Sequence, residues 1–272
     1  MSNKTFSKAL GSVPETGKDT EWSNSLKRGR VPGPRMQEHK MLDGEYGDST
    51  QAIHAGTYLD PTTGAVGTPI FQTSTFCFSD HTYDSFSQGL IRDVPIYTRY
   101  GNPTVWSVQE KISALENAES SVLFSSGMSA IVTTLVALTN NSGHIISSRD
   151  VYGGTFNFLR EDLHQMGRQL TFVDSTSIAE IEAAIRENTQ VLFFESLTNP
   201  LLKAIPLIEL AELARKYKLL LVIDNTFLSP YHLKPLDFGA HIVLHSCTKY
   251  MNGHSDLVAG VVSGSRKYID RI

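Results

Sequence analysis

The sequence predicts an α/β protein whose mainly parallel sheet is covered by helices on both faces. Two observations carry that prediction. From about residue 100 onward, short apolar runs alternate with helical runs, the pattern that strand–helix–strand crossovers leave in a chain. A polar residue also closes one apolar run after another, at Ser125, Ser148, Glu195, Asp224 and Ser246. In open α/β sheets ligands bind at those carboxyl ends.

Residues 1–48 stand apart from this pattern. They carry Lys27-Arg28-Gly29-Arg30, Pro32 and Pro34 among scattered Gly and Ser, with few apolar side chains and no periodicity. Such a composition buries too little surface to offset ordering, so a disordered extension is expected. Residues 49–98 are rich in Thr, Gly and Pro, as in Thr68-Pro69-Ile70-Phe71-Gln72-Thr73-Ser74-Thr75, and read as an ordered but irregular arm.

Residues 99–272 hold the regular part. Asn102-Pro103 supplies an N-cap and a first-turn proline for a helix reaching about Asn117. A strand over Ser121–Ser125 leads into an apolar helix over Gly127–Leu138. Strands follow over His144–Ser148, Leu170–Val173 and Val191–Glu195, separated by helices over Phe156–Met166 and Ile178–Arg186. A helix over Pro206–Tyr217 then feeds the strand Leu219–Asp224, and two short strands are expected over His241–His245 and Val258–Val262. No internal repeat is visible.

Composition narrows the function classes. At 272 residues the chain can bury a full core in one large domain or two smaller ones. Hydrophobic residues are 40% and charged residues 19%, an ordinary globular balance, and the net charge of −4 argues against a nucleic-acid surface. Apolar stretches such as Leu219–Ile223 are too short to span a membrane. The two cysteines, Cys77 and Cys247, form no CxxC, and no secretory leader is seen, so a cytoplasmic location is expected.

The chemistry centres on Ser246-Cys247-Thr248-Lys249, which begins 22 residues after Asp224. A lysine amine flanked by hydroxyls, downstream of a carboxylate at the end of a buried strand, suits pyridoxal 5'-phosphate (PLP). The amine can bond the cofactor aldehyde, Ser246 and Thr248 can bind its phosphate, and Asp224 can keep the pyridine nitrogen protonated. Ser125-Ser126-Gly127-Met128-Ser129-Ala130, at a strand-to-helix junction, can cradle an anion or simply form a tight turn. Tyr152-Gly153-Gly154-Thr155 offers a ring for stacking, or again only a turn. Tyr97-Thr98-Arg99 sets a phenol near a guanidinium suited to phosphate, though a loop Arg is common at any surface. Glu195-Ser-Leu-Thr-Asn199-Pro200 either presents polar groups to a ligand or prepares the next helix. Cys247 reads as a small buried filler.

Two other readings fit less well. Ser246-x-x-Lys249 matches the S-x-x-K of serine acyl-transfer enzymes, but the companion K-T-G is absent and Ser255-Asp256 lacks the following Asn. His241, His245 and His254 match no HExxH pattern and have no cysteine partners, so no metal is expected. There is neither a Walker A loop nor a GxGxxG.

Taken in order, Tyr97-Thr-Arg-x-x-Asn-Pro-Thr104, Ser126-Gly-Met128, Tyr152-Gly-Gly-Thr155, Glu195-Ser-x-Thr-Asn-Pro200, Asp224-Asn-Thr-Phe227 and His245-Ser-x-Thr-Lys-Tyr-x-x-Gly-His-Ser-Asp256 closely resemble the Cys/Met-metabolism family of PLP enzymes. That family includes cystathionine γ-lyase, cystathionine γ-synthase, methionine γ-lyase and the O-acylhomoserine sulfhydrylases. The resemblance runs from about Thr50 to the last residue. It implies the large domain of an aspartate aminotransferase-like, fold type I PLP enzyme over residues 99–272. Lys249 is then the cofactor-bearing lysine and proton shuttle, Asp224 the partner of the pyridine nitrogen, and Tyr152 the stacking ring and a second proton-transfer group. The resemblance assigns the phosphate to Gly127, Met128, Ser246 and Thr248, and sets Asn199 near the phenolic oxygen. Tyr97 and Arg99, on the 49–98 arm, reach the neighbouring subunit's phosphate, so a homodimer or homotetramer with shared sites is implied.

The implied substrates are sulfur amino acids: cystathionine, a homocysteine-type compound or an O-acylhomoserine. Gly154 stands where methionine γ-lyases typically carry cysteine, so carbon–sulfur γ-elimination of the cystathionine γ-lyase type is expected. γ-Replacement, or a fragment that only binds PLP or oligomerises, are the alternatives. Family members continue into a small C-terminal domain bearing the arginine that binds the substrate carboxylate, and the sequence stops before it.

Overall fold

The computed structural model describes residues 46–272 apart from 59, 61 and 90–93. The expected disordered extension falls outside the described residues up to residue 45. Among the described residues the chain forms two compact units, residues 72–102 and residues 46–71 with 103–272.

The arm contains helices that its composition does not announce. In the larger unit α1 spans Asp48–His54. In the smaller unit α2 spans Asp80–Ser87 and is closed by a reciprocal cap, the Ser79 hydroxyl accepting from Thr82 N and the Thr82 hydroxyl from Ser79 N. Threonine here does the work for which Glu or Gln is the usual signal. Segments on either side of α2 pair antiparallel through Thr75 and Tyr97, with Phe76 N donating to Ile96 O at 3.1 Å.

In the larger unit α3 (Pro103–Leu115) opens on its proline. Lys111 on this helix donates to the carbonyls of Ala52 and Ile53 at 2.8 Å each, satisfying the end of α1. The order thereafter is β1 (Ser120–Phe124), α4 (Gly127–Leu138), β2 (His144–Ser148), α5 (Gly153–Asn157), a π turn (Phe158–Asp162), α6 (Leu163–Gln165) and β3 (Gln169–Val173). Then come α7 (Ile178–Ala183), β4 (Thr189–Glu195), α8 (Leu207–Tyr217), β5 (Leu220–Asp224), α9 (Ser229–His232), a 3-10 turn (Pro235–Phe238), β6 (Ile242–Ser246), β7 (Gly260–Gly264) and α10 (Arg266–Ile269).

Among the described residues seven strands form one sheet in the order β1-β7-β6-β5-β4-β2-β3. Pairings from β6 across to β3 are all parallel, whereas β7 runs antiparallel to both β6 and β1. The expected mainly parallel sheet is therefore present, with one reversed strand inside it. Because β7 opposes both neighbours, β1 runs the same way as β6, and its end joins the common carboxyl edge.

Both faces of the sheet are buried, and alternate residues of each central strand feed different cores. Val191, Phe193, Val222 and Leu244 pack with Ala130, Ile131 and Leu135 of α4 and with Phe158 and Leu163. Leu192, Phe194, Leu221 and Ile223 pack with Ile181 of α7 and with α8. Each such side chain contributes about 1.5–3 kcal/mol by leaving water. In α8 the buried Leu207, Leu210, Ala211 and Ala214 follow helical spacing, and Lys218 in the left-handed region (φ 56°) ends the helix.

Two sequence expectations need correction. The strand expected from Val258 begins only at Gly260, because Ala259 exchanges hydrogen bonds with the Thr248 hydroxyl at 3.1 and 3.2 Å and is not free for the ladder. The turn expected at Tyr152-Gly153-Gly154 is the start of a helix, with Tyr152 as its cap and Tyr152 O accepting from Phe156 N at 2.9 Å. No helix among the described residues is long and apolar enough to cross a membrane.

Gly260 is where the sheet meets the β1–α4 junction: a Cβ there would lie 2.2 Å from the Ser126 carbonyl oxygen. Gly260→Ala is therefore expected to destabilise the fold by about 1–3 kcal/mol through overpacking against backbone, read as a lowered urea midpoint with unchanged slope.

Candidate active site

The carboxyl edge of the sheet gathers the polar residues that end the strands. Glu195 and Asp224 close β4 and β5 and are paired in register, so two acids stand side by side on neighbouring parallel strands. Both are buried, at 5% and 7% exposure. Asp224 Oδ1 accepts from the Thr226 backbone N–H at 3.0 Å and from the Thr226 hydroxyl. That hydroxyl in turn accepts from Ser246 N at 2.8 Å. Thr226 thus joins Asp224 to the first residue of the lysine motif.

After β6 the chain turns tightly through that motif. Lys249 N donates to Ser246 O at 3.1 Å, and Gly253 N to Lys249 O at 2.9 Å. Thr248 is fastened to Ala259, and Lys249 is exposed at the head of the turn. Cys247 is buried, and burial pushes its thiol up to about 12, which leaves it a packing residue.

Helix α4 begins beside this turn. The Ser126 hydroxyl caps Ser129 N at 3.0 Å, and Ser129 returns the bond to Ser126 N. The first two helical N–H groups, of Gly127 and Met128, are not served by that cap. A Cβ on Gly127 would lie 2.6 Å from Ser246 Cβ, so only glycine lets the helix start sit against the Ser246 strand end. Gly154 is similarly confined: its added Cβ would meet the Tyr152 ring at 2.6 Å and Met128 Sδ at 3.3 Å. Gly127, Met128, Tyr152, Asp224, Ser246, Thr248 and Lys249 therefore line one edge of a single unit.

Tyr152 and Asn199 are placed by a residue that sequence reasoning left out of the site. Glu195 Oε1 accepts from Tyr152 N at 2.7 Å, and Oε2 accepts from Asn199 N at 2.9 Å. Burial, reinforced by the neighbouring charge of Asp224, pushes the Glu195 carboxyl up to about 8 against those two bonds. Burial likewise raises Asp224, opposed by Thr226 and by His245. His245 is wholly buried and bonded through Nε2 to Glu116, also wholly buried. The only signal for Glu195 and Thr226 was their position within motifs, which names a residue but not its bonds.

Tyr97 and Arg99 belong to the smaller unit. There Arg99 lies over the rings of Tyr97 and Tyr100, 5.0 and 5.1 Å from their centroids, and both Tyr97 and Arg99 are exposed. The three histidines weighed as metal ligands have separate occupations: His241 Nδ1 accepts from Leu221 N, His245 bonds Glu116, and His254 lies against Asn252 O. Among the described residues no group of three or more His, Cys, Asp and Glu is placed to hold a metal.

These residues fit a phosphorylated, cationic ring. No described salt bridge neutralises the buried Asp224, and a ring N–H⁺ would supply the charge that burial withholds. The α4 start and Ser246 offer donors suited to a phosphate, whereas the single Thr248 O–H is donated to Ala259 O.

Known proteins agree with this reading of the fold. The solved cystathionine gamma-lyase of Lactobacillus plantarum, complexed with L-serine, superposes with a TM-score of 0.75 at 40% identity, covering 83% of this chain and 57% of that one. Its likeness identifies the seven-stranded unit as the large domain of a fold type I PLP enzyme. Residues 49–271 match the model of the Cys/Met metabolism PLP-dependent enzymes, and the chain belongs to that family. An L-methionine gamma-lyase of Fusobacterium nucleatum subsp. polymorphum is 42% identical over 84% of this chain and 58% of its own length. A probable cystathionine gamma-synthase of Herpetosiphon aurantiacus is 40% identical over 81% and 66% respectively. The chain thus spans about three fifths of the relatives it matches.

The raised Glu195 carboxyl has a measurable consequence. A carboxyl whose folded pKa lies above its usual 4.5 adds stability below that value and loses it as pH climbs toward about 8. Glu195→Gln removes that dependence. The stability of the variant relative to the native apoprotein is expected to rise by on the order of 1–3 kcal/mol between pH 5 and pH 8, read from urea melts at both pH values. A constant difference would show that Glu195 ionises normally in the fold.

Proposed function

We propose that this chain forms the PLP-binding part of an enzyme that breaks the carbon–sulfur bond of a sulfur amino acid by γ-elimination, in the manner of a cystathionine γ-lyase. The observation that carries the reading is the linkage of Asp224 through Thr226 to Ser246, three residues before Lys249, at one sheet edge. PLP, when bound, supplies an electron sink for charge developing on the substrate Cα. Asp224 would hold the ring nitrogen protonated, its own buried charge then being paired. Gly127 and Met128 N–H groups, with Ser246, would anchor the phosphate, and Thr248 would join them by turning its O–H away from Ala259 O.

Lys249 would carry the cofactor and, once displaced by substrate, move protons at Cα and Cβ. Tyr152, half-exposed at 49%, would cover the ring and hand a proton to the leaving group. Asn199 would donate to the phenolic oxygen. Tyr97 and Arg99, on the arm over residues 49–98, would reach the phosphate of a second copy, which makes a homodimer or homotetramer the working form.

A γ-replacement reading shares nearly every one of these groups. The likeness to a probable cystathionine gamma-synthase at 40% identity supports it. Incubation with cystathionine, assayed for 2-oxobutanoate, against O-acylhomoserine plus cysteine, assayed for cystathionine, separates the two.

Borohydride reduction of the PLP-loaded chain followed by peptide mapping is expected to place the phosphopyridoxyl group on Lys249. Label on another lysine, with Lys249→Ala still coloured, would sink the assignment. Asp224→Asn keeps shape but cannot hold the ring proton. It is expected to lower turnover about a hundredfold or more, the scale of a lost preorganised electrostatic partner, with far-ultraviolet circular dichroism unchanged.

A further inference from the structure

We infer that Glu195 is a positioning residue whose two oxygens tie the Tyr152 turn to the Asn199 turn, so that one side chain sets both groups over the cofactor site. The inference rests on the PLP reading for its purpose, though not for its geometry. Tyr152 N and Asn199 N lie 47 residues apart in sequence, on turns after two different strands. Each donates to a separate oxygen of the same carboxyl, at 2.7 and 2.9 Å.

Neither N–H serves its own helix or ladder. Tyr152 is the cap residue of α5, ahead of its first hydrogen-bonded turn, and Asn199 precedes Pro200. The Asn199 turn has its own braces, Thr198 N donating to Lys203 O at 3.1 Å and Leu202 N to Thr198 O at 2.8 Å. Lys203 Nζ also reaches Asp150 Oδ2 at 2.7 Å, two residues before Tyr152, but none of these bonds holds the Tyr152 or Asn199 N–H itself. Tyr152 is followed by Gly153 and Gly154, and the second turn continues through the exposed Leu201 and Leu202.

The platform from which Glu195 projects is fixed. The Ser196 hydroxyl donates to buried Asn225 Oδ1 at 2.7 Å, Ser196 N donates to Asp224 O at 2.9 Å, and Asn225 N donates to Leu244 O at 2.9 Å. These bonds lock the ends of β4, β5 and β6 together beneath the carboxyl.

The identity of the residue argues for two acceptors. An acid buried beside another acid is costly, and glutamine would fit the same space without the charge. Glutamine has one acceptor oxygen, however, and would turn an NH₂ toward one of the two N–H donors. Only a carboxyl satisfies both. A cationic ring at Asp224 would also lift the repulsion that Asp224 exerts on Glu195, favouring the ionised form whose bonds to N–H are the stronger. Cofactor entry would then tighten the tie.

Residue-resolved amide exchange on the apoprotein counts the acceptors directly. Native protein is expected to protect both Tyr152 and Asn199. Glu195→Gln should release one of them, and Glu195→Ala both, each by about tenfold for a lost hydrogen bond of ordinary net strength. The Thr226 and Ser246 amides should be unmoved. If the alanine variant does not fold, the glutamine variant alone still decides, since a packing role would release neither amide selectively.

In the PLP-loaded protein, Glu195→Gln should keep the borohydride label on Lys249 while losing most of the visible circular dichroism of the bound ring. Both amides still protected without the carboxyl, or an unchanged dichroic band, would overturn the inference. A native chain that takes no label at Lys249 would instead overturn the cofactor reading and the purpose assigned to Glu195, leaving the exchange pattern to report the tie itself.

Discussion

Two buried acids in register on adjacent parallel strands are the constraint around which the carboxyl edge is arranged. Glu195 and Asp224 cannot avoid each other, because the β4–β5 pairing sets them side by side. Such a pair is tolerated only when each member is heavily hydrogen-bonded. The surroundings supply that in full: Tyr152 and Asn199 N–H groups on one acid, Thr226 N–H and hydroxyl on the other. The bonds that make the pair bearable are also those that hold the surrounding loops in place.

The second organising element is the reversed strand. β7 slides between β1 and β6 and so sets the distance between the α4 start and the lysine turn. Two glycines make that spacing possible, Gly260 against Ser126 O and Gly127 against Ser246 Cβ. The N–H groups at the α4 start and the lysine turn are neighbours because no side chain stands between them at these two glycines. The Glu116–His245 pair, buried beneath, fixes β6 just ahead of Ser246.

The local part of this architecture was legible in the chain. Gly127–Leu138 and His144–Ser148 fall where composition puts them, the first a long apolar run opened by glycine, the second an Ile145-Ile146 pair between Gly143 and the serines. The polar ends of β2, β4, β5 and β6 were visible for the same reason. Strand direction was not: nothing in Gly260–Gly264 says that it runs against both neighbours, β6 just before it in the chain and β1 over a hundred positions away. Helix Asp80–Ser87 was hidden because its cap uses Thr82 where Glu or Gln would have signalled it. Glu195 was seen as a polar strand end, but the two amides it collects come from loops whose approach is decided by the sheet order alone.

That sheet order also dictates when the structure can form. Among the described residues β1 lies at the sheet edge and pairs with β7 alone, Ser120 meeting Gly264 and Phe124 meeting Gly260. A chain emerging from the ribosome can zip β2 through β6 by short parallel crossovers, but β1 must wait for a segment made some 140 residues later. Closing so long a loop is entropically slow. Until it closes, Gly260 is not in its place against the Ser126 carbonyl, so the junction between β1 and α4 should be among the last parts of the sheet edge to settle as the nascent chain folds.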